Sequence, residues 1–168
     1  MNAAKTLLEK DAKSVENATI DGGEFVIVLK GDVLDYFATL KGVQETGGVL
    51  YGFKISGREE YVISGWTTPQ SEDVFSPCSF FRKDKRHFDL IKKLWSKDGT
   101  TMYFGDWHFH PVNKVVPSQQ DYSSFAKVCK ESKTSSKYIV NIIVAKQELV
   151  VFVYDKKRKS KLSEYHIY

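Results

Sequence analysis

Cysteine is scarce in this sequence. Cys78 and Cys129 are the only two, they form no C-x-x-C pair, and they supply no disulfide framework. That excludes a small disulfide-stapled secreted scaffold and fits a reducing compartment. Long apolar runs are missing too: Phe25–Leu29 and Leu149–Tyr154 are strand-sized, far short of the roughly 20 residues that a membrane-spanning helix needs. Lys5, Glu9 and Lys10 interrupt the start of the chain where a signal peptide would carry a continuous apolar core. A cytoplasmic protein with no membrane partner is therefore expected. Charge of one sign is in short supply as well, since 25 basic against 21 acidic residues leave a net charge of only +4. The basic run Lys156–Lys159 lacks the aromatic interleaving of a single-strand groove, so it reads as a solvated turn and nucleic acid is not an expected partner. No H-E-x-x-H helix is present, and no H-x-E with C-x-x-C, which excludes the common helical zinc proteases and the zinc deaminases.

The remaining 168-residue chain, 42% hydrophobic and 14% aromatic, suits one compact domain and is short for two. Residues 1–23 are charged and loosely periodic, which predicts a short helix or a mobile lead-in ending at Asp21-Gly-Gly23, followed by a single domain over 24–168. Phe25–Leu29 reads as a strand, and Asp32 as the cap of a helix whose apolar face is Val33, Phe37 and Leu40. Gly48–Ser56 and Tyr61–Thr67 read as strands paired across a turn at 57–60. Helical spacing then predicts a helix from Asp84 to Trp95 stopped by Asp98-Gly99, with His87 on its surface or packed rather than acting as a ligand. A second such helix spans about Gln119 to Lys130, with Phe125, Ala126 and Cys129 facing inward. Tyr138–Ala145 and Leu149–Tyr154 are predicted strands, and Leu162–Tyr168 a terminal one in which His166 is structural. Cys78 reads as a small packing residue, with a place beside a substrate groove as the alternative.

Histidine is also rare, at four residues, yet two of them stand at i and i+2 in His108-Phe-His110. The stretch before them, Thr101–Trp107, favours a strand, so both imidazoles would point to one face. Pro111 should end the strand, and after a loop Ser118 is a plausible N-cap with Asp121 in the first helical turn. Ser118-x-x-Asp121 is equally a plain helix-start pattern. Docked against the strand end, that helix would bring a carboxylate to the two imidazoles. Two nitrogens and one oxygen leave a fourth tetrahedral position for water, the arrangement of catalytic zinc. For a proton acceptor the best candidate is Glu45, just ahead of Gly47-Gly48 and a short apolar run where another backbone can come close.

Taken together, Glu45-Thr-Gly-Gly-Val-Leu-Tyr-Gly52, Gly105-Asp-Trp-His-Phe-His-Pro111 and Pro117-Ser-Gln-Gln-Asp121 resemble the JAMM (MPN-plus, JAB-domain) metallopeptidases over about residues 25 to 155. Thr68–Asp73, Phe81-Arg82 and the helix before the histidine strand are similar to the small bacterial members, notably the deconjugating peptidase of CBASS anti-phage operons. The resemblance implies an α/β fold with a mixed curved sheet flanked by helices, of cytidine-deaminase-like architecture. It implies one zinc ion with a bound catalytic water on His108, His110 and Asp121, Glu45 as the catalytic acid/base and Ser118 as the oxyanion-stabilising hydroxyl. The implied activity is an isopeptidase or peptidase cutting after the C-terminus of a ubiquitin-like protein or conjugated target. Its implied partners are that protein or conjugate, a nucleotidyltransferase target, and activating and conjugating enzymes. The tail is expected to add as a strand to an exposed edge near Gly47-Gly48. Processing of ubiquitin-fold sulfur carriers and a non-catalytic MPN scaffold are the alternatives.

Overall fold

The computed structural model describes residues 16–158 and 162–168. In chain order the elements are β1 (Ala18–Asp21), β2 (Val26–Leu29), α1 (Gly31–Thr39), β3 (Thr46–Lys54), β4 (Glu60–Trp66), β5 (Val74–Ser76), β6 (Ser79–Phe81), α2 (Arg86–Asp98), β7 (Met102–Phe109), α3 (Gln119–Glu131), β8 (Tyr138–Val144), β9 (Leu149–Asp155) and β10 (Leu162–Ile167). Eight strands form one sheet in the order β1-β2-β4-β3-β7-β8-β9-β10, and β5 and β6 form a separate hairpin. The β2/β4 and β7/β8 pairs are parallel and the rest antiparallel, so the sheet is mixed, curved and flanked by helices as expected.

The two faces of the sheet divide the labour. On one, α1 buries Val33 and Phe37 against a core that includes Ile27, Ile63, Phe104, Trp107, Phe109 and Val140. On the other, α3 lays Phe125 on Ile139, Ile143, Val150 and Phe152. Because β8 is covered on both faces, all seven of its residues are buried, which is why Tyr138–Val144 is apolar on both faces apart from Asn141. Strand alternation then fixes β7: Trp107 and Phe109 enter the α1 core, while Asp106 and His108 face the side of α2 and α3.

Several expectations need correction. Residues 1–15 lie outside the described residues, but part of the expected lead-in is strand, since Ala18–Asp21 pairs with β2 and the chain turns at Gly22-Gly23. Asp32 does not cap α1. Lys30 holds the cap position without a side-chain bond, and Asp32 sits exposed in the first turn, where its charge suits the helix dipole. Ala126 is exposed; α3 turns only Phe125, with Val128 and Cys129 in part, toward the sheet. Gly47-Gly48 borders no free edge. β3 is central, and a Cβ on Gly48 would meet the Thr67 carbonyl oxygen at 2.1 Å, so the glycines admit neighbouring parts of this chain rather than a substrate strand. The turn after β9 does join two paired strands; in it Lys156 Nζ donates to Thr134 O and Arg158 pairs with Glu24 at 2.7 Å, while Lys159 lies outside the described residues.

Candidate metal centre

The histidine strand ends at the mouth of a cleft of ≈ 890 Å³ between α2 and α3, floored by β7. His108 lines this cleft from within β7, and His110, buried just past the strand's end, has its N tied to Val144 O of β8 at 2.8 Å. Asp121 arrives from the first turn of α3. Its carboxylate is shared: Oδ2 accepts from Ser118 N at 2.5 Å and Ser118 Oγ at 2.7 Å, whereas Oδ1 faces the two imidazoles. Asp121 N in turn donates to Ser118 Oγ at 3.2 Å, which completes a capping box. The plain helix-start reading of Ser118-x-x-Asp121 is thus correct, and it also aims Asp121 Oδ1 at the histidines.

The three ligand atoms converge. His108 Nε2 lies 3.0 Å from His110 Nε2 and 3.0 Å from Asp121 Oδ1, and His110 Nε2 lies 3.6 Å from Asp121 Oδ1. A tetrahedral ion with ligand bonds near 2.0–2.2 Å holds neighbouring donors about 3.3 Å apart, so these separations bracket what such an ion requires. Two nitrogens and an oxygen, partly buried yet opening onto a cleft, are a donor set fit for a divalent metal. Glu45 precedes β3, and Thr46 is in register with Phe109 of β7, which places Glu45 Oε1 3.6 Å from His110 Nε2. All five residues singled out in the sequence therefore meet in one place.

Electrostatics follow from this crowding. Burial pushes the Glu45 carboxyl above its ordinary pKa, with the two histidines partly opposing the shift. Burial alone would lower the His110 imidazole, but the Asp121 hydrogen bond and the charges of Asp121 and Glu45 outweigh it and raise it. Asp121 shows the reverse balance: burial pushes up, yet hydrogen bonds from His108, His110 and Ser118 hold it far below the usual carboxylate range.

Further along the cleft floor lie residues that sequence reasoning missed. Asp106, two residues before His108 and on the same strand face, accepts from Tyr103 OH at 2.7 Å and pairs with Arg82 Nη2 at 3.2 Å, whose guanidinium lies over Phe88. The period-two pattern that found His110 from His108 would have found Asp106 as well. Cys78, expected to be a packing residue, is exposed on the β5–β6 hairpin and lines the cleft, and both cysteines are free thiols. His87 is fully buried on α2, hydrogen-bonded to Thr67 and to Asp73, so it packs rather than lying on the helix surface.

A protein of Enterobacter hormaechei subsp. hoffmannii named CD-NTase/cGAS isopeptidase is 29% identical over 131 residues, 75% of this chain and 72% of that one. A Vibrio cholerae serotype O1 protein of the same name is 25% identical over 118 residues, covering 67% of this chain and 74% of that one. The solution structure of a Desulfitobacterium hafniense protein shares the fold, with a TM-score of 0.54 at 20% identity over 83% of this chain and 90% of that one. The family described as prokaryotic homologs of the JAB domain matches residues 36–157, a span that takes in Glu45, both cleft histidines, Ser118 and Asp121, and the chain belongs to that family.

Proposed function

We propose that this chain is a zinc-dependent isopeptidase that hydrolyses the amide joining the C-terminus of a CD-NTase or of a ubiquitin-like protein to a lysine amine, within a bacterial CBASS-type conjugation system. The observation that carries the reading is the meeting of His108, His110 and Asp121 with the Glu45 carboxylate, 3.6 Å from His110 Nε2, at one end of an open cleft. The target class is taken from the names of the relatives. An intact ligand set beside a half-buried carboxylate is also what a purely architectural domain has no use for.

When bound, zinc supplies Lewis acidity that polarises the scissile carbonyl and makes water a strong nucleophile at neutral pH. Glu45 takes the proton of the attacking water. A lysine amine, with an unperturbed pKa of ~10.4, cannot leave as an anion, so the same carboxyl returns that proton to the departing nitrogen. Its burial suits both halves of the task, because a carboxyl with a raised pKa holds the proton between the two steps. The Ser118 hydroxyl, now donating to Asp121 Oδ2, re-aims by rotation about one bond toward the developing oxyanion. The β5–β6 hairpin forms a sheet of its own and its Ser76 carbonyl binds Glu45 N, and the substrate tail adds to this hairpin rather than beside Gly47-Gly48.

The test is a CD-NTase joined through its C-terminal carboxyl to the lysine of a reporter, followed by mass spectrometry. Cleavage at that amide, its loss on chelation and its return with zinc are expected, together with a Glu45→Ala variant that keeps one zinc and loses most hydrolysis. Wild-type inactivity with zinc bound, or full activity in Glu45→Ala, would overturn the reading.

A further inference from the structure

Among the described residues, one buried group of side chains outside the mechanism joins a hydroxyl, an imidazole and a carboxylate. Thr67, at the end of β4, has its hydroxyl against His87 Nδ1, and His87 Nε2 lies 2.7 Å from Asp73 Oδ2. The side chains of His87 and Asp73 are 0% exposed. The order hydroxyl, imidazole, carboxylate is that of a hydrolase relay, but no substrate reaches a hydroxyl buried here, and Thr67 Oγ1 is already engaged by Val49 N at 2.9 Å. Oγ1 thus lies between a backbone donor and the imidazole, and the imidazole lies between that hydroxyl and the Asp73 carboxylate.

Each end of this chain of hydrogen bonds is tied to the metal centre. Thr67 is clamped to β3 four residues after Glu45, since Thr67 N also donates to Val49 O at 2.9 Å, and its carbonyl accepts from Trp107 Nε1, next to His108, at 3.0 Å. Asp73 gathers the two ends of the excursion that carries the β5–β6 hairpin: it accepts from Gln70 N at 2.8 Å on one side and from Lys83 N and Asp84 N at 2.9 and 3.0 Å on the other. From that hairpin Ser76 O accepts Glu45 N at 2.8 Å. Glu45 precedes the strand and belongs to no regular element; its backbone N–H is held by Ser76, on the excursion whose ends Asp73 joins, while Thr67 holds the strand four residues on, at Val49.

We infer that Thr67, His87 and Asp73 are positioning residues that fix the Glu45 carboxylate relative to His110 by locking the 67–85 excursion against β3. The inference rests on the proposed role of Glu45. Since a displacement of about 1 Å at a reacting group costs up to ~10²-fold, a loosened lock should appear in kcat rather than in KM or metal content.

The test compares Thr67→Val, which keeps the shape and removes the hydroxyl, with Thr67→Ser, which keeps the hydroxyl, and with Asp73→Asn. Steady-state kinetics on the CD-NTase–lysine conjugate, zinc stoichiometry and amide hydrogen exchange are measured for each. In Thr67→Val we expect kcat to fall roughly 10- to 100-fold at unchanged KM and one bound zinc. The Glu45 amide should exchange at least ~10-fold faster while that of Val140, in the sheet interior, keeps its wild-type rate. Thr67→Ser should restore both. If Thr67→Val is folded and zinc-loaded with wild-type kcat, the inference is overturned, even where exchange has quickened. If neither Thr67→Val nor Asp73→Asn folds while Thr67→Ser does, the triad is plain architecture and the inference is overturned as well. If the wild type cleaves no conjugate, the proposed function fails separately, and exchange at Glu45 alone decides whether the triad holds that residue.

Discussion

Two clusters in this molecule are built from the same residue types and do opposite things. Thr67, His87 and Asp73 form one; Ser118, His108, His110 and Asp121 form the other. In the first, the groups pair in a line from Val49 N–H through the hydroxyl and imidazole to the carboxylate, with the His87 and Asp73 side chains fully buried. In the second, two ring nitrogens face each other at 3.0 Å and both face a carboxylate oxygen, with the side chains 10 to 14% exposed at the edge of a cleft. Three such atoms converging on one point can be bridged by a cation. A histidine near an aspartate is therefore neither a strut nor a ligand by composition; what decides is whether the groups pair off in a buried line or converge on one point at the edge of a cleft.

The sharpest way to break this contrast is to remove one histidine from each cluster. His108→Ala should abolish stoichiometric zinc and cost at least ~10³-fold in hydrolysis, because polarising a carbonyl with a metal contributes several kcal/mol. His87→Ala should keep one zinc but destabilise the fold by on the order of 3 kcal/mol, since it takes the imidazole partner from a buried carboxylate and a buried hydroxyl and leaves a cavity beside them. Metal analysis by mass spectrometry and urea unfolding read the two outcomes. Zinc lost from His87→Ala and kept by His108→Ala would reverse the assignment of both clusters.

The two clusters also differed in how far the sequence could reveal them. His108 and His110 stand at i and i+2, so strand geometry alone puts them on one face, and Ser118 with Asp121 closes within a single helical turn. Local spacing carried that site. Thr67, Asp73 and His87 are separated by 6 to 20 positions, and helical periodicity gave His87 a face of α2 without saying what that face would meet. The same limit explains β1 and the Gly47-Gly48 edge. A four-residue strand such as Ala18–Asp21 carries too few alternations to register, and centrality in a sheet is a property of the partners, β4 and β7, rather than of β3 itself. Asp32 was misread because an acidic residue suits both the cap and the first turn. By contrast, the stop of α2 at Gly99 was legible because a φ of 68° there favours glycine.

Ser118 is the point at which the comparison can be sharpened, since its hydroxyl resembles that of Thr67 but lies at the open centre. Ser118→Ala should lower kcat ~10²- to 10³-fold if the hydroxyl stabilises the oxyanion. The lost cap should cost only about 1 kcal/mol of stability. Thr67→Val acts through Glu45 and should have the smaller kinetic effect of the two. If Ser118→Ala shows the stability loss with full activity, the hydroxyl is a cap and nothing more, as in the closed cluster.

The smallest expected effect is in the pH dependence of stability, and it separates the clusters without any substrate. In the metal-free protein, Asp121 and Glu45 outweigh burial and raise the His110 pKa above its ordinary 6.5. A folded value above the unfolded one contributes stability that is complete below about pH 6.5 and disappears as pH rises through the raised folded value. Asp121 is depressed by its histidine and Ser118 bonds, so its contribution is present above about pH 4 and is lost only on acidification. Between pH 6 and 8 the metal-free protein should therefore lose about 2–4 °C in Tm, the shift that on the order of 1 kcal/mol produces in a chain of this size. Zinc requires the deprotonated imidazole, so its stabilisation grows over the same interval and the zinc-loaded curve should not fall with it. The buried triad is common to both curves and cancels in their difference. Parallel curves with and without zinc would mean that His108, His110 and Asp121 hold protons rather than an ion, and the open cluster would then be a second strut.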